Sequence, residues 1–150
     1  FQAEDGIRDF CLSRGLGDVY KRQAVKWYRL SAENNYSWGQ YNLGYMYDNG
    51  NGVVEDNKEA VKWYELAAKK GNSTAQFRLA NQYREGSGVK KDNVYAYMWL
   101  KISSNKGYKK ATEILNELND ALTFQEIQLA NMLSDTCKES KYKKCSLEDF

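Results

Sequence analysis

The chain has 150 residues, with 22 Lys and Arg against 20 Asp and Glu, and its net charge is +2. The two signs are interspersed, which argues against a nucleic-acid partner, because such proteins usually carry a basic stripe. Histidine is absent, which removes Ser-His-Asp and Cys-His catalysis and the commonest metal ligand. No apolar run approaches the ~20 residues of a membrane-spanning helix. We therefore predict no nucleic-acid partner, metal, cofactor or membrane span within this sequence.

Residues 1–23 do not share the pattern of the rest of the chain. Residues 2–9 resemble the in-frame translation of a sequencing-library primer, and residues 13–23 resemble a translated transposase adapter. We therefore interpret 1–23 as a non-native leader that makes few specific contacts with the rest, with a natural polar leader as the alternative. On this interpretation Cys11 is not native, and the true N-terminus with any signal peptide lies outside the sequence.

From Ala24 onward the chain repeats at a fixed distance of 36 residues. The segment Ala24-Val-Lys-Trp-Tyr-Arg-Leu-Ser-Ala32 returns as Ala60-Val-Lys-Trp-Tyr-Glu-Leu-Ala-Ala68 and, less well kept, at 96–104. A period of this length is typical of stacked helical units and not of one closed globule. The predicted units are the second helix of a truncated repeat at 24–36, repeats at 37–72 and 73–108, and capping helices with a tail at 109–150.

Each repeat is predicted to contain two helices. The first runs from about Trp38 to Asp48, and again from Thr74 to Arg84, with small and large apolar residues at helical spacing. Glycine pairs then end these helices, because glycine adopts the left-handed conformation freely.

The second helices begin at Asp56 and Asp92, which are predicted N-caps. Their apolar faces contain a tryptophan that recurs every 36 residues, and we expect all three copies to lie in the core. These copies are Trp27, Trp63 and Trp99.

The C-terminal region is predicted to cap the array. Residues 109–121 keep the register of a first helix but lack the glycine loop, and a capping box at Thr123 and Glu126 starts the last helix. That helix places an apolar arc against the array and a polar face toward water, as the end of a solenoid requires.

These residues resemble the Sel-one-like repeat, a 36-residue relative of the tetratricopeptide repeat. The resemblance extends from Ala24 to about Ala121. It implies an all-α fold, an α-solenoid of antiparallel helix pairs with its first helices on the concave surface. It further implies a bacterial scaffold or adaptor for protein–protein contacts, with a protein or peptide partner of unknown identity. The residues that carry it are Leu43-Gly44, Tyr47, Gly50-Asn-Gly52-Val53, Asp56, Ala60-Val-Lys-Trp-Tyr64, Ala67-Ala68 and Gly71.

Seven residues of the first helices lie off the predicted buried stripe, and we call them the candidate groove. Aromatic and arginine side chains of this kind are favoured in protein interfaces. The alternative is that a first helix preceding the sequence covered Trp38 and Tyr41, which would then be truncated core. The candidate groove comprises Trp38, Tyr41, Asn42, Tyr45, Phe77, Arg78 and Asn81.

Cys137 and Cys145 remain as a pair near the C-terminus. They are either two free thiols or a disulfide, which would indicate an oxidising compartment. In secreted cysteine-rich relatives a disulfide joins a helix end to the next helix, with a similar spacing between the two cysteines. The resemblance therefore favours the disulfide and a periplasmic or secreted location. Because a continuous helix would separate the two Cα atoms by about 12 Å, the bridge requires that the last helix end between Thr136 and Ser140. Tyr142 is then expected to pack on that helix.

An enzyme is the alternative function, since some cysteine-rich relatives with these repeats carry a β-lactamase label. Three Ser-x-x-Lys matches occur, but no Ser-Asp-Asn or Lys-Thr-Gly accompanies them. We therefore predict no catalytic residue and no hydrolase activity. The matches are Ser87/Lys90, Ser103/Lys106 and Ser140/Lys143.

Overall fold

The computed structural model describes residues 16–146 and residue 148, and these fold into seven helices. Consecutive helices pack on each other from α1 to α6, and α7 packs on α5. The predicted all-α solenoid is thereby confirmed, whereas Cys11 and residues 1–15 lie outside the described part. The helices are α1 (Leu16–Glu33), α2 (Ser37–Asn49), α3 (Asn57–Ala68), α4 (Ser73–Glu85), α5 (Asn93–Asn105), α6 (Lys109–Ala121) and α7 (Phe124–Glu139).

The first helices keep the sequence period in space. Helices α2, α4 and α6 are each 13 residues long, and they start at positions separated by the sequence repeat. The predicted bounds of α2 and α4 are confirmed to within one residue at each end. Asp56 and Asp92 cap α3 and α5 as predicted, because each carboxylate accepts hydrogen bonds from two backbone N–H groups of its helix.

Lysines join successive units at the ends of the second helices. Nζ of Lys70 donates to the carbonyl oxygen of Asn35, and Nζ of Lys106 donates to the carbonyl oxygen of Gly71. Both acceptors are left-handed residues, with φ of 70° and 84°. The same contact therefore recurs between the turn of one unit and the helix end of the next.

Two loop glycines lie directly against the preceding unit. A Cβ at Gly88 would overlap the carbonyl of Asn57 and lie 2.8 Å from the backbone nitrogen of Lys58. At Gly52 the equivalent overlap is with Lys21, and the backbone nitrogen of Arg22 would be 2.6 Å away. The start of α3 and the residues around Lys21 in α1 therefore occupy equivalent places in the array.

This contact bears on the N-terminal segment. Helix α1 begins at Leu16 and continues without a break past Ala24. Residues 16–23 do make one close contact with the repeats, because the backbone of Lys21 and Arg22 lies against Gly52, and the expectation of few specific contacts stays a prediction. The interpretation of 1–23 as a non-native leader stays a prediction.

Gly88→Ala should lower the free energy of unfolding by about 2–4 kcal/mol, because a positive φ and a steric overlap combine at this site. Its φ is 70°. Gly107→Ala is the matched control, since its φ is 87° but no atom lies within 4 Å of the added Cβ. The control should lose only about 1–2 kcal/mol from backbone strain. Urea unfolding measures both, and equal losses would show that contact with the preceding unit contributes nothing.

The three recurring tryptophans differ in burial, which corrects one prediction. Trp99 is 2% exposed, Trp63 is half-buried and Trp27 is 62% exposed. Trp63 packs on a cluster that includes Val25 of α1 and Leu43 of α2. The recurring tryptophan is thus covered by helices that precede it in the chain. The prediction of a core position is wrong for Trp27, because the described residues contain no unit before α1 to cover it.

The C-terminal tail folds back on the array. Helix α7 ends at Glu139, and Cys137 forms a disulfide with Cys145 across a Cα–Cα distance of 4.5 Å. Lys141 and Tyr142 make the reversal with φ of 54° and 64°. The predicted helix end and disulfide are both confirmed.

Tyr142 also reaches further than the final helix. Its ring lies 5.1 Å from Nζ of Lys106. A Cβ atom added at Gly71 would lie 3.4 Å from the same ring. Its backbone N–H donates to the carbonyl of Cys137 at 2.7 Å. The tail therefore ties α7 to the ends of α3 and α5, a contact that sequence reasoning had not predicted.

Candidate functional site

The candidate groove residues lie on α2 and α4 with different exposures. Trp38 is 61% exposed, whereas Tyr41, Asn42 and Tyr45 are half-buried. Their spacing along α2 places Trp38, Tyr41 and Tyr45 on one helix face. The exposed end of this face is the indole of Trp38.

The α4 residues divide into two kinds. Arg78 and Asn81 are half-buried and accessible from solvent, whereas Phe77 is 7% exposed. The Phe77 ring lies 5.0 Å from the ring of Tyr108, the N-cap residue of α6. Phe77 therefore packs between α4 and the start of α6 and supports the groove without being exposed in it.

The aromatic side chains of α2 form a continuous row. Trp38 and Tyr41 meet edge to face with centroids 5.7 Å apart, and Tyr41 and Tyr45 are 6.4 Å apart. Behind them, Tyr64 of α3 lies 6.0 Å from Tyr41. Contacts of this geometry stabilise the orientation of each ring, so the row is a preformed surface.

Arg78 joins this row from α4. Its guanidinium lies over the Tyr45 ring at 5.3 Å, and Tyr41 lies close enough to contribute to its pKa. Burial opposes its charge, but Tyr64, Tyr41 and Asp48 together raise the pKa of Arg78 above its usual value. The arginine is thus charged and held in position by two aromatic rings.

Three polar residues that sequence reasoning missed hold this arrangement together. Asp48 accepts a hydrogen bond from the hydroxyl of Tyr64 at 3.0 Å and another from Nε2 of Gln82 at 2.7 Å. Burial, followed by the charge of Asp48, raises the pKa of Tyr64. The phenol therefore remains a donor at neutral pH. These bonds join α2, α3 and α4 beneath the groove.

The signal that identifies Asp48 and Gln82 is their departure from the repeat. At the equivalent positions Arg84 replaces Asp48, and Met46 and Leu118 stand in place of Gln82, whereas Tyr64 recurs as Tyr28 and is replaced only by Leu100. Residues that only maintain the solenoid recur in each unit. A polar network confined to one pair of units indicates a local role.

A second cleft lies between α3, α4, α5 and the tail, with a volume of about 480 Å³. Tyr83 and Tyr95 stack within it at 5.3 Å. Burial, followed by the charge of Glu65, raises the pKa of Tyr83 to about 12, so this phenol stays protonated at neutral pH. The cleft is lined by Glu65, Lys69, Tyr83, Tyr95, Trp99, Cys145, Ser146 and Glu148.

The Ser-x-x-Lys matches are not brought together as catalytic pairs. Ser103 donates to the carbonyl of Ser73 at 2.8 Å, and Ser140 donates to the carbonyl of Cys137 at 3.0 Å. Ser87 lies in the loop after α4, where its backbone N–H donates to the carbonyl of Gln82 at 3.0 Å. The backbone N–H groups of Lys106 and Lys143 donate to the carbonyls of Ser103 and Ser140 at 3.1 and 3.3 Å. Within residues 16–146, no hydrogen bond joins the hydroxyl of any of these serines to the ammonium group of its lysine.

Two further properties concern the described part of the chain only. Residues 16–146 and 148 contain no group of three or more His, Cys, Asp or Glu side chains that is arranged to hold a metal ion. None of the helices in this part is both long enough and apolar enough to span a bilayer.

Two of the solved structures that resemble this chain are Sel1-like repeat proteins. A protective antigen of uropathogenic Escherichia coli strains, which displays an SLR fold, is 33% identical with a TM-score of 0.75. The match covers 85% of this chain and 27% of that protein, so the chain spans about a quarter of its length. A Sel1 repeat protein from Oxalobacter formigenes is 38% identical with a TM-score of 0.61, over 62% of this chain and 70% of the other.

The family assignment comes from the repeats themselves. No curated protein matches the chain. The model of the Sel1 repeat, the Sel-one-like repeat named above, matches residues 2–36, 39–72 and 73–108. The first match begins within the segment interpreted as a leader. Since these matches cover most of the sequence and agree with the observed helix pairs, the chain belongs to the Sel1 repeat family.

Proposed function

We propose that this chain is a scaffold or adaptor for protein–protein contacts, and that it binds a peptide segment of its partner in the candidate groove. Sel1 repeats typically serve in protein interactions, and the family membership supports that general role. The observation that supports this particular surface is an aromatic row with the exposed Trp38 at one end and Tyr45, covered by Arg78, at the other.

The physical character of the row suits peptide binding. Its rings and the guanidinium are already held by neighbouring side chains, so binding would cost little additional conformational entropy. Tryptophan, tyrosine and arginine are the residues that most often dominate binding free energy in interfaces. Phe77 takes part only as support, because it is buried against Tyr108.

The test is selection of binding peptides from a random library by the immobilised full chain, followed by affinity measurements on variants. Trp38→Ala should lower the affinity for the selected peptides by about tenfold or more, as expected for a central aromatic contact. Trp27→Ala is a matched control, since the two indoles are 61% and 62% exposed but Trp27 lies on α1. The control should change affinity less than twofold.

Two outcomes would contradict the proposal. One is a library that yields no binding peptide with the folded chain. The other is a set of peptides whose affinity falls equally in the Trp38 and Trp27 variants, which would place binding outside the groove. A circular dichroism spectrum of each variant ensures that lost binding does not reflect lost folding.

We further infer that the protein is bacterial and acts in an oxidising compartment, in the periplasm or outside the cell. The disulfide between Cys137 and Cys145 supports this location, because such bonds persist mainly in oxidising environments. The similar Escherichia coli antigen and the Oxalobacter formigenes protein support the bacterial source. Free thiols at both cysteines, found by alkylation inside the source cells, would contradict the location.

A further inference from the structure

The three first helices present different chemistry at equivalent positions. The positions of Tyr41 and Tyr45 on α2 correspond to Phe77 and Asn81 on α4, and to Glu113 and Glu117 on α6. Because α2, α4 and α6 are equally long and regularly spaced in sequence, these residues lie in matching rows across the same face. The surface therefore changes from aromatic at α2 to acidic at α6.

The acidic end is accessible and adjoins the groove. Glu113 and Asp120 are exposed, and the Glu117 side chain is 73% exposed. Nη1 of Arg84 on α4 lies 3.9 Å from Oε2 of Glu117, so the α6 carboxylates are next to α4. Lys109 and Lys110 on the same helix are also exposed, and the three carboxylates outnumber these two lysines by one.

The positive charges of α4 are already engaged. Arg78 is held by Tyr41 and Tyr45, and Asp48 lies close enough to raise its pKa. Arg84 contacts Glu85 at 3.5 Å as well as Glu117. The centre of the surface is therefore close to neutral, and the uncompensated charge at its α6 end is negative.

We propose that the partner segment is an extended peptide with an aromatic or large apolar residue at α2 and a basic residue at α6. This rests on the proposed function, and it adds the direction and the chemistry of the ligand. Charge complementarity selects the basic end, because exposed carboxylates attract lysine or arginine and repel acidic residues.

The geometry also sets the spacing of the two residues. Side-chain contacts join α2 to α4 and α4 to α6, and with about 10 Å for each step between neighbouring helices, α2 and α6 are about 20 Å apart. An extended strand rises about 3.3 Å per residue. The aromatic and basic residues should therefore be about six positions apart in the peptide sequence.

The first probe is a fluorescent peptide in which five Gly and Ser residues separate one tryptophan from a pair of lysines. In the second probe, glutamates replace the two lysines. At low salt the lysine peptide should bind the full chain about fivefold or more tightly than the glutamate peptide, from two exposed ion pairs. The preference should shrink as salt screens the charges. A lysine peptide with only one spacer residue should bind no more tightly than the glutamate peptide with the same spacer.

Matched variants locate the contact. Glu113→Gln combined with Glu117→Gln should abolish the preference for lysine. Glu55→Gln combined with Glu139→Gln changes the net charge equally at exposed sites outside these rows and should leave the preference intact. Trp38→Ala should lower the affinity for both peptides by the same factor, so that the ratio of the two affinities does not change.

The outcomes separate this inference from the proposed function. Equal binding of both peptides, or a preference that survives the Glu113 and Glu117 substitutions, overturns the inference alone. So does tighter binding of the glutamate peptide. If library peptides bind in the groove while neither designed peptide binds, the inference is wrong and the scaffold function stands. If no peptide of any kind binds, both are wrong.

Discussion

Trp99→Ala should lower the free energy of unfolding by about 3–5 kcal/mol, as expected for removing a large buried aromatic side chain. Trp99 is 2% exposed and belongs to the main core cluster, which extends from α3 to the tail. In an array of few units each interface carries a large share of the stability, so this variant should be close to unfolding at 25 °C. Urea unfolding followed by circular dichroism measures the loss.

The repeat supplies controls of the same residue type. Trp63→Ala should lose less than Trp99→Ala, because Trp63 is half-buried. Trp27→Ala should cost about 0.5 kcal/mol or less, as for an exposed position. A loss at Trp27 as large as that at Trp99 would contradict the gradient and would indicate that Trp27 is covered in solution.

This gradient shows what a repeat pattern can and cannot predict. Equivalent positions share a backbone setting, so the ends of α2 and α4, the caps at Asp56 and Asp92 and the turn glycines followed from the sequence. Burial depends in addition on the helices that pack over a position. The same tryptophan is therefore core at one place in the array and surface at another.

The candidate groove has the same limit. Helical periodicity identified residues off the buried stripe, but Phe77 is covered because Tyr108, at the start of α6, packs against it. The bonds from Tyr64 and Gln82 to Asp48 join three helices, and two of the three residues, Asp48 and Gln82, do not recur. No local pattern encodes such pairs, since each depends on which unit follows which. Comparing units for polar residues that break the repeat is the sequence signal closest to this network.

Reduction of the disulfide should lower the free energy of unfolding by about 2.5 kcal/mol in the chain-entropy model for a nine-residue loop. The bond joins Cys137, which is fully buried, to Cys145, which is 3% exposed. It holds the tail where Tyr142 meets Lys106 and where Cys145 lines the cleft with Trp99. The loss should therefore appear together with weaker protection of the α3 and α5 ends in hydrogen exchange.

All measurements should use a Cys11→Ser background, so that only the tail thiols respond to reductant. The Cys137→Ala and Cys145→Ala double variant should be destabilised to a similar or greater extent, because it also loses buried sulfur atoms. Adding dithiothreitol to that variant should change nothing, which separates the bond from side effects of the reductant. Unchanged stability of the parent protein on reduction, with complete alkylation confirmed by intact mass, would mean that the tail contacts hold without the bond. In that case Tyr142 and its contacts with Lys106 and Gly71 would be the element that ties α7 to the preceding units.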